Sequence, residues 1–198
     1  MNKRTKFNVS ILGESKVGKT SMIHSLKGYE FDPHQIATIG VDDFTDEAKF
    51  ENREYRFKIF DTAGQERYKC ISTNTIQLAD GFLIVFSVTD KKSFELLDQW
   101  IKNIDDSVDI KSKILILAGN KADIDDDERE VSREEAENYA KSNNILYFET
   151  SAKSGLNIKE VFNKLYEDIF NLNKKLTDRK NIELTKEDKT KNKKKKKC

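Results

Sequence analysis

Residues 13–20 read GESKVGKT, a combination of glycine, lysine and a hydroxyl residue that suits the binding of phosphate groups. The run fits the pattern G-x-x-x-x-G-K-[ST], whose glycines let backbone N–H groups point inward at a phosphate. The lysine of this pattern reaches the β- and γ-phosphates, and the hydroxyl binds Mg²⁺. We therefore predict a phosphate loop with a catalytic Lys19 and a metal ligand Thr20, formed by Glu14, Ser15, Lys16, Val17, Gly18, Lys19, Thr20 and Ser21.

The segment DTAGQE, residues 61–66, adds groups suited to metal binding and hydrolysis. A carboxylate at Asp61 can hold the Mg²⁺ shell, the N–H of Gly64 can contact a γ-phosphate, and Gln65 can orient an attacking water. The pattern D-x-x-G alone also marks ordinary turns. Its position after a β-rich run, well downstream of a phosphate loop, favours the hydrolytic interpretation.

Two later segments carry groups that can distinguish guanine from adenine. In NKAD, residues 120–123, the carboxylate of Asp123 can accept hydrogen bonds from the N1–H and the 2-amino group of guanine, a donor pair that adenine lacks. A loop at 151–153 can offer backbone N–H groups to the guanine O6. Each segment alone fits a loop with a surface lysine, but their order and spacing predict a guanine site formed by Asn120, Lys121, Asp123, Ser151, Ala152 and Lys153.

Strand and helix patterns place each of these segments at the end of a predicted strand. The predicted strands are 7–12, 48–50, 55–60, 82–88, 114–118 and 145–148, with a polar turn at 51–54. Helical spacing follows the glycine loop, and polar helix starts are predicted at Ser132 with Glu135 and at Asn157 with Glu160. Strands that alternate with helices predict a doubly wound α/β sheet, with one antiparallel edge from the hairpin.

Composition sets the domain organisation. The 198 residues, of which 36% are hydrophobic and 36% charged, suffice for one domain core. The net charge is +1, yet residues 171–198 carry twelve Lys/Arg against four Asp/Glu. We therefore predict a folded, acidic domain at residues 1–170 and a disordered, polybasic tail at 171–198 that meets an anionic surface.

The location follows from cysteine usage and the lengths of the apolar runs. Cys70 and Cys198 are the two cysteines, which is too few for a disulfide framework, and no signal-peptide pattern is present at the start of the sequence. The apolar runs are too short to span a bilayer. These features predict a cytoplasmic protein that, at a membrane, lies on the surface.

The motifs GESKVGKT, ATIGVD, DTAGQERY, GNKAD and TSAKSG together resemble those of the Ras superfamily of small GTPases, and within it the Rab family, over residues 6–170. The resemblance implies the P-loop small-GTPase fold, with a six-stranded, mostly parallel sheet, one antiparallel strand and helices on both faces. It implies a Mg²⁺-dependent GTP/GDP switch that hydrolyses GTP slowly. It also assigns Thr38 as a γ-phosphate sensor and Mg²⁺ ligand, Phe31 as a contact to the guanine, and Gln65 to hydrolysis.

The same resemblance implies partners and a setting. We expect an exchange factor, a GTPase-activating protein and effectors, a role in vesicle trafficking on the cytosolic face of an intracellular or plasma membrane, a monomer, and no nucleic acid. The alternatives are a GTP-binding scaffold that does not cycle, a Ras-like signalling GTPase with non-Rab effectors, and a P-loop nucleotide kinase. Gln65 and Thr38 argue against the scaffold. The short chain shows no lid or acceptor segment for a kinase.

The positions that face effectors depart from the Rab pattern. Asp43 stands where Rabs carry an aromatic residue, and Phe60 and Thr75 occupy the other positions that effectors commonly contact. One hypothesis is that Asp42 and Asp43 form an acidic patch that selects a basic partner. The alternative is a solvated strand edge with Phe44 taking over the packing.

The second departure concerns lipid attachment at Cys198. Rabs usually end in two cysteines, and the C-a-a-X signal needs three further residues. The open interpretations are a prenylated single cysteine, a trimmed chain, a polybasic segment that acts alone, and a basic tail that only aids solubility.

Overall fold

The computed structural model of the protein describes residues 5–35, 41–62 and 73–195. The strands are β1 Lys6–Leu12, β2 Val41–Phe50, β3 Arg53–Thr62, β4 Gly81–Ser87, β5 Ile114–Asn120 and β6 Leu146–Glu149. The α-helices are α1 Lys19–Leu26, α2 Thr73–Leu78, α3 Lys91–Glu95, α4 Leu97–Asp105, α5 Arg133–Ser142 and α6 Ile158–Lys195. Short 3₁₀ turns lie at Ile110–Ser112 and Asp126–Glu128.

The six strands form one sheet in the order β2-β3-β1-β4-β5-β6. Strands β3, β1, β4, β5 and β6 are parallel, and β2 pairs antiparallel with β3 at one edge. The predicted α/β fold, with its antiparallel edge strand, is confirmed. Because the parallel strands share one direction, the loops at their carboxyl ends lie along the same edge of the sheet.

The core lies on both faces of the sheet, as expected for strands that are apolar on both sides. One face packs against α1 and α6 through residues that include Ile11, Met22, Ile59, Phe162 and Tyr166. The other face packs against α3, α4 and α5 through residues that include Ile84, Phe86, Phe94, Trp100 and Ala136. This two-sided packing makes the sheet a rigid support for its loops.

The hairpin between β2 and β3 is tighter than predicted. Glu51 and Asn52 have φ values of 48° and 60°, and Phe50 pairs directly with Arg53. Two consecutive left-handed residues form the turn that matches the twist of paired strands. The turn therefore has two residues instead of the predicted four, and both strands are longer than predicted.

The two predicted helix starts have different chemistry. The hydroxyl of Ser132 accepts a hydrogen bond from the backbone N–H of Glu135 at 3.1 Å, which confirms a side-chain cap on α5. Helix α6 begins after Asn157 as predicted, but Asn157 has φ 53° and its amide donates to the carbonyl of Glu149 at 2.7 Å. The side chain of Asn157 thus ties the helix start to the end of β6.

The expected disorder after residue 170 differs from the structure, in which α6 continues to Lys195. Phe170 stacks on Phe50 with ring centroids 4.9 Å apart, and Lys174 forms an ion pair with Glu51. Beyond these contacts, the sequence is rich in Lys and free of Gly and Pro, which is compatible with a helix. The polar composition that suggested disorder is thus also compatible with a helical backbone.

Within the described part of the chain, none of the helices is long and apolar enough to cross a membrane.

Candidate nucleotide-binding site

The predicted phosphate loop bends tightly because glycine occupies its two turning points. Gly13 has φ 140°, and a β-carbon built there would lie 2.0 Å from the carbonyl oxygen of Val85. Gly18 has φ 97°, and its β-carbon would lie 2.3 Å from the amide nitrogen of Asn120. Neither position accepts a side chain without displacing a neighbour, so the loop keeps an open backbone cradle. Lys16 also has a positive φ of 65° and is exposed.

Lys19 places a buried cation inside this loop. Its side chain extends from the first turn of α1, is 5% exposed, and donates to the carbonyl oxygens of Gly13 and Glu14 at 2.8 and 2.7 Å. These two carbonyls fix the position of the ammonium inside the loop, and a cation that is largely out of water interacts favourably with an anion placed beside it. The loop is therefore suited to an anion such as a phosphate group.

Thr20 and Asp61 bring the phosphate loop to the end of β3. The Thr20 hydroxyl donates to a carboxylate oxygen of Asp61 at 2.6 Å, and Asp61 is fully buried. A hydroxyl and a carboxylate beside a phosphate-binding loop are the oxygen donors that Mg²⁺ accepts in nucleotide sites. The residues present at this point therefore fit the expected metal.

Asn120 connects the phosphate loop to the loops that follow β5 and β6. Its buried amide nitrogen donates to the carbonyl of Val17 at 2.8 Å. Its amide oxygen accepts from the backbone N–H of Ala152 at 3.1 Å and from the Thr150 hydroxyl at 3.4 Å. One side chain thus fixes the distance between the predicted phosphate and base loops.

Asp123, the predicted base-reading residue, contacts the loop that follows β6. One carboxylate oxygen accepts from the Ser151 hydroxyl at 2.5 Å, and the other lies 3.8 Å from the ammonium of Lys153. The Asp123 side chain is 18% exposed, and that of Lys153 is 68% exposed. Lys121 has φ 67°; burial lowers the pKa of its ammonium, and the charge of Asp90 opposes that shift.

Phe31 lies on the same side of the molecule as these loops. It is 42% exposed and lines a small crevice together with Ser21, Gln35 and Ala152. The Ser21 hydroxyl donates to the side-chain oxygen of Gln35 at 2.9 Å, which holds the segment after Phe31 against α1. The structure thus brings Phe31 close to both the phosphate loop and a base loop.

Four residues with predicted roles lie outside the residues that the structure describes: Thr38, Gly64, Gln65 and Cys198. Their assigned roles stay predictions.

Comparison with known proteins identifies the family. The chain matches the Ras family over residues 8–171. It is 39% identical over 163 residues to the Ras-related protein Rab-13 of Rattus norvegicus, covering 82% of this chain and 79% of that protein. It is 37% identical over 173 residues to the Ras-related protein Rab-8B of Homo sapiens, covering 87% and 83%. The chain belongs to the Rab branch of the Ras family.

This Rab-type protein is therefore a small GTPase that hydrolyses GTP to GDP and acts as a guanine-nucleotide switch in vesicle trafficking. The resemblance stated from the motifs is confirmed, and the scaffold and nucleotide-kinase alternatives do not apply.

The surface near the antiparallel edge differs from the acidic patch that we hypothesised. Asp42 and Asp43 are consecutive residues of β2, so their side chains point to opposite faces of the sheet. Asp43 forms an ion pair with Lys58 at 3.2 Å, and the Lys58 ammonium lies 5.1 Å from the centre of the Phe60 ring. Phe44 packs toward the core. The geometry therefore favours the solvated strand edge over a single patch of two acids.

Thr75, which occupies a position that Rab effectors commonly contact, is buried. It is 6% exposed in α2, so its side chain is not presented to a partner as an effector-facing residue would be.

The sequence analysis did not identify three residues that pack beside the loops after β5 and β6. The Tyr147 hydroxyl lies 2.5 Å from where a β-carbon of Gly119 would stand, directly before Asn120. The Arg129 guanidinium pairs with the Glu149 carboxylate at 2.7 Å. None of these residues belongs to a motif, although Glu149 stands next to the TSAK segment, which was the one signal that pointed to it.

Proposed function

We propose that this Rab-type GTPase binds GTP or GDP with Mg²⁺ along the carboxyl edge of its sheet, with the phosphates at Gly13–Thr20 and the guanine between Asp123 and Ala152. The observation that carries the proposal is the set of hydrogen bonds made by Asn120. These bonds join Val17 of the phosphate loop to Ala152 of the last loop, so that phosphate-binding and base-reading groups form one site.

At the phosphate end, the chain supplies charge and backbone donors. Lys19 is already held by two carbonyls, so little side-chain entropy remains to be lost when it contacts the β- and γ-phosphates. Thr20, Asp61 and Thr38 would hold Mg²⁺, which when bound neutralises charge that develops on the phosphate oxygens. Pre-positioned groups of this kind act mainly by electrostatic stabilisation of the transition state.

For hydrolysis, water attacks the γ-phosphorus and the bond to the β-phosphate oxygen breaks, giving GDP and phosphate. Gln65 would orient that water, and the N–H of Gly64 would contact the γ-phosphate. The reaction is slow without help. A GTPase-activating protein that supplies an arginine is expected to accelerate it by about 10³–10⁵-fold.

At the base end, Asp123 distinguishes guanine from other purines. Its carboxylate would accept from both the N1–H and the 2-amino group, while a backbone N–H of the loop at 151–153 would donate to the O6. Hydrogen bonds to a charged group contribute about 1.5–3 kcal/mol each. Hypoxanthine keeps the N1–H but lacks the 2-amino group, so a comparison of GDP with inosine diphosphate (IDP) isolates one of these bonds.

The test is Asp123→Ala, assayed by competition of GDP and IDP against a fluorescent guanine nucleotide. We expect the GDP affinity to fall by about 10²-fold or more, and the preference for GDP over IDP to drop to near one. Asp105→Ala, at an exposed position of α4, is the control and should change neither value. A preference for GDP that survives Asp123→Ala would exclude Asp123 as the base-reading residue.

Membrane attachment forms the last part of the proposal. The lysines of residues 189–197 would draw the protein to the anionic cytosolic face of a membrane, where each basic residue near the surface contributes about 1 kcal/mol. A prenyl group on Cys198 would add the second signal that stable anchoring requires. Exchange factor, activating protein and effectors would then meet the switch at that surface.

A further inference from the structure

The two base loops, residues 121–129 after β5 and 150–157 after β6, are joined a second time by an ion pair. Arg129 and Glu149 form an ion pair at 2.7 Å, and their side chains are 17% and 16% exposed. For comparison, the side chains of the ion pair between Lys27 and Asp46 are 23% and 24% exposed, and those of the pair between Arg56 and Glu47 are 63% and 55% exposed. Because exposed pairs contribute little and partly buried ones are screened less, this contact is the strongest candidate for a functional ion pair.

Each partner sits at the end of one base loop. Glu149 is the last residue of β6 and directly precedes Thr150 and the base-reading segment. Arg129 ends the loop that starts with Asp123. The ion pair therefore links the end of the first loop to the start of the second, whereas Asn120, at the start of the first loop, bonds to Thr150 and Ala152 within the second.

Each partner also has a second contact, Arg129 with the core and Glu149 with the start of α6. The Arg129 guanidinium donates a second hydrogen bond to the carbonyl of Val131 at 3.2 Å, and Val131 is fully buried. The backbone N–H of Val131 donates to the carbonyl of Val88 at 3.0 Å. On the other side, the Asn157 amide holds the Glu149 carbonyl at 2.7 Å. Such fixed ends let the pair set the relative position of the loops.

The loop between Asp123 and Arg129 needs such a restraint. Asp125, Asp126, Asp127 and Glu128 are all exposed, and only a single 3₁₀ turn organises them. Four neighbouring carboxylates repel one another and the carboxylate of Asp123, and this repulsion favours a more open loop. The cation of Arg129, held against Glu149, closes the loop and opposes the repulsion.

The hydrogen bond between Asp123 and Ser151 depends on the distance between the two loops. This 2.5 Å bond crosses from one loop to the other and orients the carboxylate. Hydrogen bonds weaken steeply as the donor–hydrogen–acceptor angle departs from linear. A small opening of the loops would therefore weaken the contact to the 2-amino group more than the stacking or phosphate contacts.

We propose that the Arg129–Glu149 pair is a positioning clamp that sets the selectivity of this GTPase for guanine over purines that lack the 2-amino group. The inference rests on the base-reading role proposed for Asp123. Arg129 and Glu149 do not touch the base; they act through the placement of Asp123 and Ser151.

The test compares the ratio of GDP to IDP affinity with the thermal midpoint of the GDP-bound protein. Arg129→Met keeps the aliphatic stem and removes the cation, and we expect it to lower the ratio about tenfold, equivalent to one weakened charge-assisted bond. Arg129→Lys restores a cation and should return the ratio to within about threefold of the wild-type value. The control is Arg56→Met, which removes an exposed pair with Glu47 on the hairpin, at 3.0 Å, and should leave the ratio unchanged.

The double variant Arg129→Met with Glu149→Gln separates the clamp from the effect of an unpaired buried carboxylate. It leaves no buried charge behind, and it serves as the measurement if Arg129→Met alone does not fold. The clamp predicts a ratio that stays about tenfold low. A double variant with the wild-type ratio would overturn the proposal, because the defect of the single variant would then come from Glu149 alone.

Three further outcomes are decisive. If Arg129→Met lowers the thermal midpoint but leaves the ratio unchanged, the pair is only structural and the proposal is wrong. If Asp123→Ala abolishes the preference for GDP while the Arg129 variants keep it, the clamp fails and the base-reading role stands. If Asp123→Ala also keeps the preference, the base-reading role itself fails.

Discussion

Replacing Asn120 by alanine removes the amide that joins the phosphate loop to the base loops. Asn120 is 1% exposed, and its bonds to the carbonyl of Val17 and the N–H of Ala152 measure 2.8 and 3.1 Å. The truncation takes this partner from two backbone groups in buried residues. Each such group costs about 1–3 kcal/mol, so we expect the free energy of unfolding to fall by about 3 kcal/mol. That loss is large against a typical total of about 5–15 kcal/mol.

The assay is urea denaturation at a fixed, saturating GDP concentration, followed by circular dichroism. With an m-value of about 2 kcal/mol per molar urea, the expected midpoint shift is about 1.5 M. The same variant should release GDP at least about tenfold faster, because the loops that hold the two ends of the nucleotide are no longer coupled. Ligand linkage requires that both proteins be compared at the same free GDP concentration.

Asn138→Ala is the matched control, since Asn138 is exposed on α5 and the substitution favours the helix. It should change the free energy of unfolding by less than about 0.5 kcal/mol. A shift below about 1 kcal/mol for Asn120→Ala, with an unchanged GDP release rate, would refute the argument that this amide couples the loops.

The remaining predictions concern hydrolysis, alkaline stability and the tail. Gln65→Leu removes the group proposed to orient water, so the protein should stay GTP-loaded; wild-type hydrolysis in the presence of an activating protein would contradict this role. Burial, reinforced by Asp46, raises the pKa of Tyr166. The neutral phenol therefore stabilises the fold fully below about pH 10, and this contribution is lost as the pH rises further. Tyr166→Phe should cost about 1 kcal/mol at pH 7 through the lost bond to Asp46, and should flatten the alkaline decline in the free energy of unfolding; an unchanged alkaline slope would count against it. Replacing Lys193 to Lys197 by glutamine should reduce sedimentation with anionic vesicles but not with neutral ones, and equal sedimentation of both proteins would argue against the tail as a membrane contact.

The phosphate loop illustrates what was predictable from local sequence. Its chemistry depends on a short run in which Gly13 and Gly18 take conformations that other residues avoid. The positions of these glycines in the sequence therefore predict the backbone geometry of the loop. The segments at Asp61, Asn120 and Ser151 were predictable for a related reason. Each follows an apolar strand, and parallel strands bring their carboxyl ends to one edge whatever the details of the packing.

The orientation and pairing of the carboxylates of β2 could not be predicted from the sequence. The adjacent acids Asp42 and Asp43 suggested one patch, but the geometry of a strand points their side chains to opposite faces of the sheet. The pairing of Asp43 with Lys58 depends further on the register between β2 and β3, which the two-residue turn at Glu51 and Asn52 sets. Register is a property of the paired strands and cannot be read from either strand alone.

By itself, the sequence determined the family, the order of the strands and helices, and the groups that can contact phosphate, metal and base, because all of these are encoded in short stretches of chain. Only the tertiary structure decided how those stretches are held together. Asn120 reaches Val17 across 103 positions, and Arg129 meets Glu149 across 20. Such contacts carry no local signature, since they exist only after the core has packed and brought distant strand ends within hydrogen-bond distance.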